Sequence, residues 1–240
     1  MNDITKIIPN KFLIQTINSE IQFDFQWELI QAIKGTNWFR NEIIYEYVLS
    51  DVDVPNCIPI GSVEFTLNYM EKYHGKKIKP LHIPEILMQD KYLKRECRIL
   101  ERSQININEL TFVKSVDKIK GFTEIINSNI QLPKLGNFFI SQIVDIDSEW
   151  RCFIYNEKLV GLQNYSGEFT LFPDVNLIEE IIYNKNLPKA YTLDIGINNH
   201  GTFILELHEF FSCGTYGFSD HKLIPLMYKS WFRECINKNY

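Results

Sequence analysis

The sequence predicts an α+β protein, and three observations carry that expectation. Short β-rich runs and helical stretches interleave without the strict strand–helix alternation of a parallel sheet. The chain becomes strand-dominated from about Leu110 onward. Two pairs of β-rich runs in that part are separated by loops short enough for hairpins. The change of pattern divides the chain into a small N-terminal α/β region, 1–105, and a second region, 106–240.

In the first region, residues 13–15 and 43–49 are rich in β-formers. Residues 62–73 read as a helix, with Ser62 as its cap and Gly75 as its end. Residues 84–100 read as a second helix, with Pro84 in its first turn. In the second region, 111–114 and 138–146 read as strands. Residues 150–155 and 158–163 flank Asn156 and Glu157, the spacing of a two-residue hairpin. Asp174 caps a helix through about Asn184, with Pro188 beyond it. Residues 191–197 and 202–208 form another hairpin around Asn199, His200 and Gly201. A last helix covers 222–237, with Pro225 in its first turn.

Composition narrows the class. Hydrophobic residues at 45% and charged residues at 23% are those of a chain that buries a core. A net charge of −5 gives no long-range attraction to a nucleic-acid backbone. The densest basic run, KYHGKKIK at 72–79 followed by Lys91, Lys94, Arg95 and Arg98, reads as a solvated face. The five cysteines include no CxxC pair, which points away from a disulfide framework or a zinc site. No apolar run approaches the ~20 residues of a bilayer span, and the polar start MNDITKIIPN lacks the apolar centre of a signal peptide. A reducing, cytoplasmic location without membrane contact is therefore expected. The aromatic supply, 14% of residues, is compatible with a homodimer.

The chemistry-bearing residues cluster late in the chain. Ile204, Glu206 and His208 share one face of their strand. A three-residue loop pairs Asn198 with Thr202, and hence Asp194 with Glu206. Like charges directly opposite destabilise a sheet, so this face holds a divalent cation, meets a strong basic partner, or lies exposed at an edge. Lys114 ends a strand and is followed by Lys118, Lys120 and Gly121 in KSVDKIKGF, a set able to neutralise phosphates or simply to be solvated. Neither GxxxxGK[ST] nor GxGxxG occurs. Arg151 lies in a strand beside Phe153 and Tyr155, where it either pairs with Glu149 or a neighbouring carboxylate, or clamps a phosphate bidentately. Ser212 to Gly217 form a glycine-containing, close-approach loop, and Cys152 reads as an inert core residue.

Four segments together resemble the ATP-grasp superfamily, and within it the phage and bacterial R-two-K clade. They are FVKSVDKIKGF at 112–122, FISQIVDIDSEWRCFIYNEKLVGLQNYSG at 139–167, YTLDIG at 191–196 and FILELHEFFSCGTYGF at 203–218, with GSVE at 61–64 also similar. The resemblance implies two α+β subdomains gripping a nucleotide, with ATP and Mg²⁺ as cofactors. It implies that Lys114, Lys118, Lys120 and Gly121 meet the phosphates, and that Gln142, Ile143 and Val144 form a hinge beside adenine. It implies that Arg151 binds the transferring phosphate, and that Asp194 and Glu206 hold magnesium. The family has Glu-x-Asn on the last strand, whereas this chain has Glu206-Leu207-His208, so His208 joins the metal candidates as a departure. The implied activity is ATP-dependent carboxylate–amine ligation through an acyl phosphate, on small-molecule or peptide substrates. The alternatives are a degenerate or non-catalytic ATP-binding module and a metal-dependent nuclease using Asp194 and Glu206.

Overall fold

The computed structural model describes residues 8–105, 110–127, 132–183 and 187–237. The fold is α+β, with three sheets. Two compact units interleave along the chain: Met1–Ile78, Pro188–Tyr191 and Phe210–Tyr240 form one, and Lys79–Leu187 and Thr192–Glu209 the other. The expected division at residue 105 lies inside the second unit.

The first unit opens with β1 (Lys11–Gln15), α1 (Asp24–Arg40), β2 (Glu46–Ser50), β3 (Ile58–Ile60) and α2 (Val63–His74). β2 and β3 both pair in parallel with β1. A parallel central strand is covered on both faces and reads as a continuous apolar run; Phe12, Leu13 and Ile14 are accordingly buried. The sequence gives no separate signal for α1, whose buried Phe25, Leu29, Ile30 and Ile33 follow helical spacing. Gln26 is buried there and its amide nitrogen donates to the Gln15 carbonyl at 2.7 Å, joining α1 to the end of β1. The 62–73 helix forms as expected: Ser62 Oγ accepts from Phe65 N, and Gly75 closes the helix at φ 63°.

The second unit carries the remaining strands. It begins with a 3-10 turn, Glu85–Leu87, then the short α3 (Asp90–Leu93) and β4 (Cys97–Glu101). This corrects the single helix expected over 84–100. Lys94 adopts φ 48° and ends the helix, after which β4 pairs antiparallel with a later strand. Long-range pairing thus overrides a local helical reading. The unit continues with β5 (Thr111–Ser115), β6 (Thr123–Ile126), β7 (Asn137–Gln142), β8 (Ser148–Tyr155), β9 (Lys158–Gly167), α4 (Val175–Ile182), β10 (Ala190–Asn198) and β11 (Gly201–Glu209). The first residues of β10 are assigned to the first unit. α5 (Leu223–Asn237), in the first unit, is the last element among the described residues.

Two four-stranded sheets result, in the orders β4-β7-β5-β6 and β11-β10-β8-β9. The strand expected over 138–146 stops at Gln142. Beyond it the chain crosses to the other sheet, where Asp147 N donates to the Ile197 carbonyl at 2.8 Å. Asn156 and Glu157 adopt φ 48° and 60°, the positive values a two-residue hairpin turn needs. The second hairpin turns at Asn199 and His200, one residue shorter than the expected loop, and Gly201 opens β11 at φ 95°. Asp174 caps α4 through Asn176 N and Leu177 N; Asn184, the expected end of that helix, lies outside the described residues.

Arg95 ties the two sheets together. Its Nε donates to Ser141 Oγ of β7 at 2.8 Å, and its Nη1 to the Ile204 carbonyl of β11 at 2.8 Å. Lys94 Nζ reaches the His200 carbonyl at 2.5 Å, and Lys91 pairs with Glu180. Of the basic residues expected to form a solvated face, Lys72, Lys77, Lys79, Lys91 and Arg98 are exposed, whereas Lys94 and Arg95 are partly buried anchors.

Gly75 offers a clean test of backbone cost, because nothing lies within 4 Å of a β-carbon added there. Gly75→Ala should cost about 1–2 kcal/mol from the left-handed conformation alone, and Ser62→Ala about 1 kcal/mol from the lost cap. Urea-denaturation midpoints of the two variants measure both.

Candidate functional site

The candidate site is built from four strands of the second unit. β8 and β10 are neighbours in one sheet and place Arg151 beside Asp194. Arg151 Nε and Nη2 donate to the two carboxylate oxygens of Asp194 at 2.8 and 2.7 Å, a bidentate pair. Both residues are buried, at 7% and 2% exposure. Of the two readings open for Arg151 in the sequence, the structure shows a carboxylate partner.

Arg151 is braced from its other neighbour, β9. The β8–β9 register shifts between Glu149 and Trp150, pairing Glu149 with Ser166 but Trp150 with Asn164. Tyr165 is thus the extra residue of a β-bulge, a device that re-aims a side chain. Its ring lies 5.8 Å from the Arg151 guanidinium, and its hydroxyl donates to Glu149 Oε2 at 2.8 Å. Burial, then the Asp194 charge, then the bond to Glu149 push the Tyr165 phenol far above its ordinary range, so it stays a neutral donor. Glu149, expected as a partner of Arg151, instead accepts from Tyr165, which sequence did not single out; a bulge leaves no mark in residue spacing.

β11 contributes Glu206 and His208. One ligand atom from each of Asp194, Glu206 and His208 lies within 4.8 Å of the others, the grouping expected from the hairpin. His208 Nε2 lies 2.5 Å from Glu206 Oε1. Lys114, from β5 in the other sheet, donates to Glu206 Oε2. Burial alone would push the Glu206 carboxyl up. The hydrogen bond and charge of His208, then the charge of Lys114, outweigh it and hold the carboxyl well below its usual range.

The remaining sequence candidates lie nearby along the chain. Lys118, Lys120 and Gly121 form the turn between β5 and β6, where Gly121 N donates to the Lys118 carbonyl at 3.1 Å. Both lysines are exposed. Asp117 holds the base of this turn by accepting from Asn137 N at 2.7 Å. His82, which sequence did not single out, sits against the same segment. Burial pushes its imidazole below the usual range; a bond to the Val116 backbone opposes this, and the Lys114 charge adds to it. Gln142 ends β7, and Ile143 and Val144 begin the crossing between sheets. Cys152 is fully buried, and burial followed by the Asp194 charge pushes its thiol well up, so it is an inert core residue.

The donor set bears on a metal. Two carboxylates within reach of one point suit a divalent ion such as magnesium, whereas the imidazole nitrogen suits first-row transition ions better. The charges also bear on it. Lys114 and Arg151 balance Asp194 and Glu206, so the four fixed charges sum to zero.

A sheet pair with two basic side chains converging on an acidic hairpin defines a class, and comparison identifies it. Residues 92–226 match the family model described as ATP-grasp domain, R-two-K clade, family 2, which is more than half of the chain. The chain belongs to that family. Among solved structures it is similar to D-alanine–D-alanine ligase from Bacillus anthracis complexed with ATP, at 10% identity and TM-score 0.51, covering 96% of this chain and 99% of that one. It is also similar to N5-carboxyaminoimidazole synthetase from Staphylococcus aureus, at 11% identity and TM-score 0.51, covering 92% of this chain and 77% of that one. At these identities the likeness is one of fold. No curated protein sequence matches the chain.

The buried pair makes a stability prediction. Asp194→Ala strands a buried guanidinium and should cost about 3–5 kcal/mol. Arg151→Met combined with Asp194→Leu should recover much of that loss, because neither charge then remains buried. A double-mutant cycle in urea measures the coupling.

Proposed function

We propose that this chain is an ATP-dependent carboxylate–amine ligase, forming an amide or peptide bond through an acyl phosphate. The observation that carries the reading is the convergence of Lys114 and Arg151 on the Asp194–Glu206–His208 cluster, in a chain of the ATP-grasp family. Two basic residues able to leave their carboxylates for phosphate oxygens are what phosphoryl transfer requires of a protein.

In this reading a substrate carboxylate oxygen attacks the terminal phosphorus of ATP, and the bond to the bridging oxygen breaks to release ADP. The amine nitrogen then attacks the acyl carbon, phosphate leaves, and the nitrogen loses its proton. Lys114 moves from Glu206 to the phosphates, while Arg151 stabilises charge on the transferring group. Lys118, Lys120 and Gly121 close over the phosphates, and Gln142, Ile143 and Val144 line adenine. Asp194, Glu206 and His208 would hold a divalent ion, which supplies neutralisation of phosphate charge when bound. No protein nucleophile is required. Substrates are small-molecule or peptide carboxylates and amines, and the cysteine pattern supports a cytoplasmic setting. No helix among the described residues is long and apolar enough to cross a membrane.

One observation favours a second reading. The acidic pair is already satisfied by Lys114, His208 and Arg151, so the cluster is stable without a metal, as a degenerate nucleotide-binding module would be.

The two readings part on turnover. The ligase should bind ADP with a divalent ion and release ADP from ATP only when a carboxylate and an amine are both supplied. Lys114→Ala should weaken nucleotide binding by roughly 10- to 150-fold, the worth of one charge-assisted hydrogen bond of about 1.5–3 kcal/mol. Calorimetric titration and a coupled ADP assay over amino-acid and peptide panels measure this. Binding without turnover would select the degenerate module, and absence of nucleotide binding would sink both readings.

A further inference from the structure

We infer that the metal site of this chain prefers a first-row transition ion of the Mn²⁺ type over Mg²⁺, with His208 as a nitrogen ligand. The inference rests on the ATP-grasp reading of the site and deepens it.

Three features of the chain support the assignment. Glu206 and His208 stand two residues apart on β11, so both side chains leave the same face of the strand. The ring turns Nε2 toward Glu206 Oε1 at 2.5 Å in a hydrogen bond, so nitrogen and oxygen already converge, and a bound ion would take the place of the proton between them. Asp194 joins from the adjacent β10, and one donor atom of each residue lies within 4.8 Å of the others. Ligands held about 2.0–2.3 Å from a common ion are separated by comparable distances. The side chain is also free to adjust: His208 is 38% exposed and Glu206 36%.

Donor chemistry then selects the ion. Mg²⁺ takes oxygen ligands in strict octahedral geometry and keeps its waters. An imidazole nitrogen contributes little to it and displaces a water it holds well. First-row transition ions gain from imidazole and still accept carboxylate. A carboxylate–carboxylate–imidazole set therefore separates the two kinds of ion, whereas an all-oxygen set would not. The carboxylates satisfy the magnesium expected of the family, but the nitrogen does not.

The test uses the full chain with saturating ADP and MnCl₂ or MgCl₂ as the probe. Mn²⁺ affinity is read by electron paramagnetic resonance of the free ion, and Mg²⁺ affinity by competition. Mn²⁺ should bind at least about tenfold tighter than Mg²⁺, and pulsed spectra of the bound ion should show nitrogen modulation from an imidazole. His208→Asn and His208→Gln should each abolish that modulation and narrow the preference, with thermal melts confirming that both variants fold. The wild-type spectrum alone decides the ligand question if neither variant folds. Metal–ADP binding with no imidazole modulation, or with equal affinity for the two ions, would overturn the inference and leave the ATP-grasp reading standing. Failure of ADP to bind with either ion would overturn that reading and the inference with it.

Discussion

Arg151 and Asp194 carry full charges in a place where water is nearly excluded. Taking either into the interior alone costs several kcal/mol. Their bidentate geometry offsets that cost because both carboxylate oxygens meet a guanidinium nitrogen. The rest of the site depends on this pair. It fixes β8 against β10, and β10 in turn carries β11 as its neighbour. Glu206 and His208 are therefore placed relative to Asp194 by sheet geometry. Tyr165 of β9, held by Glu149 of β8, completes the arrangement by giving the guanidinium an aromatic face.

A second constraint acts between the sheets. Arg95 bridges β7 and β11 through Ser141 and the Ile204 carbonyl, two residues from Glu206. Its guanidinium also lies 5.2 Å from the Phe203 ring. That ring in turn closes over Gly196, where an added β-carbon would fall 2.7 Å from Phe203 Cζ. Gly196 is thus the residue that lets β10 and the Phe203 side chain meet. The fold positions Lys114 near Glu206 by this route, because Lys114 belongs to the sheet that Arg95 fastens to β11.

Much of the second unit is legible in the sequence. Hairpin spacing at Asn156–Glu157 and the cap at Asp174, like the cap at Ser62 in the first unit, are local signals, and each agrees with the structure. The grouping of Asp194, Glu206 and His208 is expected from strand parity and a three-residue loop, and the three side chains do converge, although the turn between their strands is one residue shorter. The failures are long-range. β4 reads as helix because its pairing with β7 is invisible locally. Arg95 reads as solvated because its acceptors, Ser141 and Ile204, are far along the chain. Arg151 could be placed in a strand, but its partner could not be chosen between a carboxylate and a phosphate. Tyr165 was hidden by a bulge that only the register reveals.

The charge balance of the cluster shapes how ligands enter it. Lys114 and Arg151 cancel Asp194 and Glu206, so a divalent ion arriving alone would leave two uncompensated positive charges. Part of that set is buried, where the effective dielectric is low and such an excess is costly. A nucleotide polyphosphate arriving alone would have to draw Lys114 from Glu206 and leave that carboxylate without its cation. Ion and nucleotide entering together avoid both costs. On the proposed reading, the lysine would exchange a carboxylate for phosphate, and the carboxylate would exchange a lysine for the metal. Linkage then requires each ligand to raise the affinity of the other by the same factor. If the proposed ligands bind there, the same ion pairs would set the order of preference among them, with the ion–nucleotide complex favoured over either component.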